Sequence, residues 1–156
     1  MTDLEKLRRV AENLRRRGGY WGEFPTADLM GWVLHKGQCV YCDAHLEDSH
    51  HLTNRLGGTD HLLPKTKYPQ LRDDPLNLVP ACGGCNGLKR DWDPNTEELP
   101  RLYDPETSGA IDEKVHTLLV SRARGRVDKK RQERQSNFSK DEANWADAMR
   151  QWNTPS

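Results

Sequence analysis

The stretches Asp60-His61-Leu62-Leu63-Pro64 and Asn77-Leu78-Val79-Pro80-Ala81-Cys82-Gly83-Gly84-Cys85-Asn86-Gly87-Leu88-Lys89 decide how this chain is read. Two short β-prone runs, Asp60-His61-Leu62-Leu63 and Leu76-Asn77-Leu78-Val79, sit among glycines and prolines and predict two strands joined by a long loop. Residues 83 to 91 then read as a helix.

The same region carries all four cysteines, as two CxxC pairs: Cys39 with Cys42, and Cys82 with Cys85. A CxxC turn lets two thiolates reach one metal, so two such turns complete a tetrahedral four-cysteine zinc site. The pairs are 39 residues apart, longer than in a simple zinc ribbon, which implies that the intervening segment is itself folded and pinned at both ends. Four unrelated thiols or a redox dithiol are the competing readings, and the matched internal spacing argues against both. His45, His50 and His51 could replace a cysteine, but they read better as loop residues.

On these residues the chain resembles the HNH nuclease family, over roughly residues 39 to 91, a third of its length. The resemblance implies an α+β fold with a ββα-metal core and a structural zinc, flanked by N-terminal and C-terminal helices. It also implies roles. His61 matches the general-base His, Asn77 the central Asn, and Asn86 the final position in its HNN form. Asp60 matches the acidic residue that precedes the first His and helps to bind a catalytic Mg²⁺ or Mn²⁺. Asn86 in place of a third His is the one departure from the family pattern, and neither helical flank shares the resemblance.

The chemistry of those residue types is consistent with these roles. Phosphodiester hydrolysis needs an activated water and a cation to stabilise charge developing on the phosphate and the leaving 3′ oxygen. Asp60 and the amide oxygen of Asn86 are hard ligands suited to Mg²⁺ or Mn²⁺. A neutral imidazole at His61 can take a proton from water near neutral pH, and Asn77 can hydrogen-bond the loop backbone to orient the His61 strand. One tension is built in: adjacent strand residues point to opposite faces, yet Asp60 and His61 must serve one site. Lys65, Lys67, Lys89 and Arg90 flank the site in sequence and are expected to receive neighbouring phosphates without reading bases.

Outward from this core the chain is polar. It has 156 residues, 34% hydrophobic, with 24 basic residues against 24 acidic ones, and its mean hydropathy is −0.97. That size fits one domain, read as a helical preface over 1–37, the zinc-bound core over 38–92, and a connector with C-terminal helices over 93–156. So little apolar material excludes a membrane span and calls for a stabiliser besides burial, which zinc supplies. Zero formal net charge means that any nucleic-acid partner must be argued from local chemistry.

Leu4, Leu7, Val10 and Leu14 predict an amphipathic helix over 3 to 17 with a glycine stop at Gly18 and Gly19. Thr26 is expected to cap a second helix through Leu29, Met30, Trp32 and Val33, ending near Gly37. Residues 93 to 113 hold seven acids and one arginine and read as a solvated connector. A helix is expected from about 110. Residues 121 to 134 carry seven Lys or Arg, read either as phosphate contacts or as a solvated face, and Ser139 with Glu142 forms a capping box for a last helix that packs Trp145, Met149 and Trp152.

The opening MTDLEKLRRV lacks an apolar signal region, so a cytoplasmic location is expected. The leading reading is a metal-dependent DNA endonuclease, with DNA and a regulatory or targeting protein as partners. Its rival is a non-catalytic zinc module that binds nucleic acid or protein.

Overall fold

The computed structural model describes residues 3–46, 57–96 and 98–152. His50 and His51 lie outside them. Helix α1 spans Asp3–Arg16 and turns its apolar stripe, with Ala11 at its centre, onto α2, Thr26–Leu34. Between them Gly18 and Gly19 both hold left-handed φ angles, of 76° and 63°, which end α1 and enter a 3₁₀ turn at Gly19–Glu23. Thr26 does not cap α2: it is the first helical residue, Pro25 precedes it, and no side chain caps this end. Pro25 restricts the residue before the helix by its fixed φ instead.

Strands β1, Gly57–His61, and β2, Leu78–Cys82, form a two-stranded antiparallel sheet in which Asp60 pairs with Val79 and His61 with Leu78. Both strands are shifted from the sequence expectation. Leu62 and Leu63 leave the ladder at the end of β1 and turn into the core, and Leu76 and Asn77 precede β2 rather than begin it. Helix α3, Gly83–Lys89, follows β2 without a loop. Helix α2 crosses β2 so closely that a Cβ on Gly31 would lie 2.1 Å from the Leu78 carbonyl oxygen, so only glycine fits there.

Two expectations for the C-terminal half are corrected. The connector is not simply solvated: Asn95, Tyr103 and Ile111 are buried, and the Asn95 amide donates to the Tyr103 carbonyl (2.6 Å) while its oxygen accepts from the Leu102 N–H (2.8 Å). These bonds wrap the acidic stretch onto the body. The expected pair of helices is one 40-residue helix, α4, Glu113–Trp152. No proline interrupts it, so the Ser139 start signal has nothing to restart. Leu119, Ala123 and Val127 bury one face of α4 in the main core. Beyond that face the helix leaves the body, so Trp145 and Trp152 are 66% and 81% exposed rather than packed.

The result is an α+β molecule with a main core, in which Trp32, Tyr41, Leu63, Val79, Tyr103 and Leu119 meet, and a smaller one of Ala11, Leu29 and Met30 between α1 and α2. No helix among the described residues is long and apolar enough to cross a membrane.

Candidate functional site

Two knuckles bring the cysteines together. In the first, Cys39 N–H donates to the Ala44 carbonyl (2.8 Å) and Asp43 N–H to the Cys39 carbonyl (2.8 Å), with Asp43 at φ 60° closing the turn. The Val40 N–H bonds the Pro80 carbonyl (3.0 Å), so this knuckle is docked onto β2. In the second, Cys82 ends β2 and begins α3, and its sulfur accepts from the Cys85 N–H (3.4 Å). The four sulfurs all lie within 4.8 Å of one another, and Cys42 and Cys82 are 3.9 Å apart.

Tetrahedral zinc at ordinary Zn–S lengths needs sulfurs about 3.8 Å apart, so the cluster fits a metal such as zinc. Without a cation, burial and the neighbouring sulfurs push the Cys39 thiol up to about 11 and raise Cys85 further. Burial would also raise Cys82, but the Cys85 backbone N–H and its neighbours' side-chain hydrogen bonds outweigh it and hold that thiol below its ordinary value. The Arg131 guanidinium, 3.2 Å from the Cys85 sulfur, adds positive charge from α4. His45 stays outside the sulfur cluster, bridging to Gln38 in the loop.

His61 closes β1 and is half-buried. Its Nε2 lies 3.0 Å from the Arg72 carbonyl oxygen. A carbonyl only accepts, so Nε2 is the nitrogen that donates to it, and Nδ1 takes no part in this bond. The loop that supplies this carbonyl is clamped by Asn77, which is fully buried. Its amide donates to the Leu63 and Leu71 carbonyls (3.1 Å each), and its oxygen accepts from the Leu63 N–H (2.8 Å). Three bonds from one side chain thus hold both ends of the loop against the sheet.

Asp60 points the other way, as alternation requires. Its Oδ2 accepts from the Tyr41 hydroxyl (2.6 Å) and lies 3.2 Å from the Lys89 ammonium. Lys89 also donates to the His61 carbonyl (2.7 Å), spanning from α3 to β1. Asn86 is half-buried on α3, one helical turn before Lys89. The oxygen donors of Asp60 and Asn86 suit Mg²⁺ or Mn²⁺ in kind, and Asp60 Oδ2 already meets two donors, the Tyr41 hydroxyl and the Lys89 ammonium.

The expected phosphate contacts are corrected for Lys89. It is 2% exposed, and its ammonium is spent on Asp60 and two backbone carbonyls, because the helix that carries it packs directly on β1. Lys67 is exposed but paired with Asp93 at 2.6 Å. Lys65 and Arg90 are exposed. Much of the basic run in α4 is structural: Arg122 donates to the Pro94 and Pro100 carbonyls, and Arg124 forks onto Asp43.

Sequence reasoning missed four participants. Tyr41 lies between the first two cysteines, where its burial is invisible to pattern. Arg72 contributes only a carbonyl. Thr59 accepts from the Trp32 indole (3.2 Å) and hydrogen-bonds Asp28, which reaches the sheet from α2. Burial raises the Asp28 carboxyl above its ordinary value, although Thr59 and the nearby His61 pull it down. No local signal in the sequence marks any of the four.

Comparison with known proteins adds one relative. The chain is 30% identical over 95 residues to the Septu protein PtuB of Bacillus thuringiensis. The match covers 61% of this chain and 35% of that protein, so the chain spans about a third of the relative it resembles. No family model matches the chain, and no solved structure does.

Proposed function

We propose that this chain is a metal-dependent endonuclease of the HNH type that hydrolyses phosphodiester bonds in DNA. The observation that carries the reading is the His61 ring, held through Nε2 by the Arg72 carbonyl, on a strand that pairs with β2 and touches the helix carrying Asn86. The similarity to a Septu protein is compatible with it. On this reading the four thiols hold zinc as a scaffold, and Asp60 with Asn86 would hold Mg²⁺ or Mn²⁺ once the Asp60 carboxylate turns from Tyr41 and Lys89 toward the face that carries the His61 ring. That ion, when bound, would stabilise negative charge on the phosphate and on the leaving oxygen.

His61 Nδ1 takes the proton of a water as its oxygen bonds phosphorus, the bond to the 3′ oxygen breaks, and that oxygen leaves to gain a proton. Asn77 is a positioning residue, fixing the loop whose Arg72 carbonyl orients the ring. A regulatory or targeting protein is a further partner on this reading.

The rival, a non-catalytic zinc module that binds nucleic acid or protein, draws on the Asp60–Lys89 pair, since the ammonium already neutralises that carboxylate. Plasmid nicking with added Mg²⁺ or Mn²⁺ separates the two. The endonuclease reading expects cutting by the parent chain, and loss of cutting with retained zinc and DNA binding in His61→Ala. Equal cutting by parent and variant, or none by either, rejects it.

A further inference from the structure

A groove of about 570 Å³ runs between the end of α3 and the face of α4, and cations line it: Arg90 from just after α3, and Arg126, Lys130 and Arg134 from α4. One acid is among the lining residues, Glu133, and it is paired with Lys130 at 2.7 Å. In a chain with zero formal net charge, this is a local concentration of positive charge with a concave shape.

Two further observations mark the groove. Arg90 is held at φ 50° and ψ −139°, a backbone region that is costly for any residue with a side chain. The Arg90 N–H bonds the Asn86 carbonyl as the last bond of α3, and the chain turns off the helix at this residue. Arg126 lies over the Trp92 ring, 5.7 Å from its centre, and its Nε is buried without a hydrogen-bond partner. A buried donor left unpaired is uncommon in folded proteins and costs stability. Strain and an unmet donor thus flank the same groove.

The rest of the basic run behaves differently. Arg122 and Arg124 tie down the connector and the first zinc knuckle, while Arg131 meets Asp128 and a zinc thiol. Along one helix, then, some cations hold the fold and others face an open groove. The groove wall includes Lys89, whose ammonium reaches the His61 carbonyl, so this one residue of α3 borders both the groove and the candidate site.

We propose that this groove binds the phosphate backbone of DNA, with Arg90, Arg126, Lys130 and Arg134 as the contacts, and that it guides a strand toward the site carrying His61. The guiding role rests on the endonuclease reading, whereas the binding does not. Guanidinium groups suit phosphate because they donate two parallel hydrogen bonds. Contacts of this kind read no bases, and each releases counterion, so binding falls with salt by a slope of about −0.9 per phosphate contacted on duplex DNA.

The test measures binding of the full zinc-loaded chain to a random-sequence duplex, without added Mg²⁺ or Mn²⁺ and in a His61→Ala background. Cutting therefore cannot affect the result. Arg90→Gln with Arg134→Gln removes two exposed groove cations without touching the core. It is expected to weaken binding at least about tenfold and to make the salt slope shallower by about 2. Arg126→Gln is expected to lower the slope by a further contact. Arg124→Gln, which removes the same charge ten residues before Arg134, is expected to leave the slope unchanged. Groove variants that bind like their parent, or an Arg124→Gln loss as large as theirs, would overturn the proposal.

Discussion

Lys89→Met is the substitution that most directly probes how the candidate site is held. It keeps the aliphatic stem and removes the ammonium that lies 3.2 Å from Asp60 and bonds the His61 carbonyl at 2.7 Å. The Lys89 side chain is 1% exposed and that of Asp60 10%, so water cannot replace the lost partner. Removing one member of a buried ion pair costs about 3–5 kcal/mol, because the other charge stays buried. Tyr41 still donates to Asp60, which places the expected loss near the lower bound, about 3 kcal/mol. For a chain of this length that lowers the melting temperature by roughly 10 °C. Urea unfolding of the purified protein measures the cost. The double variant Lys89→Met with Asp60→Asn removes both charges and is expected to recover at least about 1 kcal/mol relative to the sum of the single changes. A loss below about 1 kcal/mol for Lys89→Met, or strictly additive single changes, would refute the claim that Lys89 is a buried structural cation.

Three other outcomes follow from the same structure. Metal analysis is expected to find one zinc per chain, and Cys82→Ser to lose it and unfold, since Cys82 both faces the other thiols and begins α3. Gly31→Ala drives a Cβ to 2.1 Å from the Leu78 carbonyl oxygen and is expected to cost at least about 2 kcal/mol in the same unfolding assay. The third concerns acid. Burial and the facing His116 lower His35 from 6.5 to about 4, with the two rings in contact at 3.1 Å. The folded state therefore prefers neutral His35, and the unfolded chain binds the proton more readily. Stability is full above about pH 7 and is lost as pH falls through 6.5 toward 4, by about 1–2 kcal/mol at pH 5 after allowing for partial exposure. Replacing His35 with Gln is expected to flatten that part of the stability-against-pH curve.

Local pattern carried much of the reading wherever the deciding interaction lies within a few residues. The stripe of α1 and its glycine stop, the start of α3 after Cys82, and the pairing of the cysteines are all short-range features. The end of β1 was not legible, because Leu62 and Leu63 read as strand by propensity while the Asn77 side chain takes both the N–H and the carbonyl of Leu63. Nor was the fate of Trp145 and Trp152. Their spacing is that of a packed stripe, and only the direction of α4 away from the body leaves them in solvent.

By itself the sequence determined the kinds of atoms available: four thiols in two turns, hard oxygen donors beside an imidazole, and a surplus of cations in the last third. Those follow from residue identity and spacing. Tertiary structure decided which of them are free to act. Lys89 and Arg90 are neighbours in sequence, yet one is buried against Asp60 and the other is exposed at the edge of a groove. Asp60 and His61 are neighbours too, and the pleat sends one toward Tyr41 and the other toward the Arg72 carbonyl. The physical reason is common to both pairs: burial and partner choice depend on contacts between residues far apart in the chain, which spacing along it does not encode.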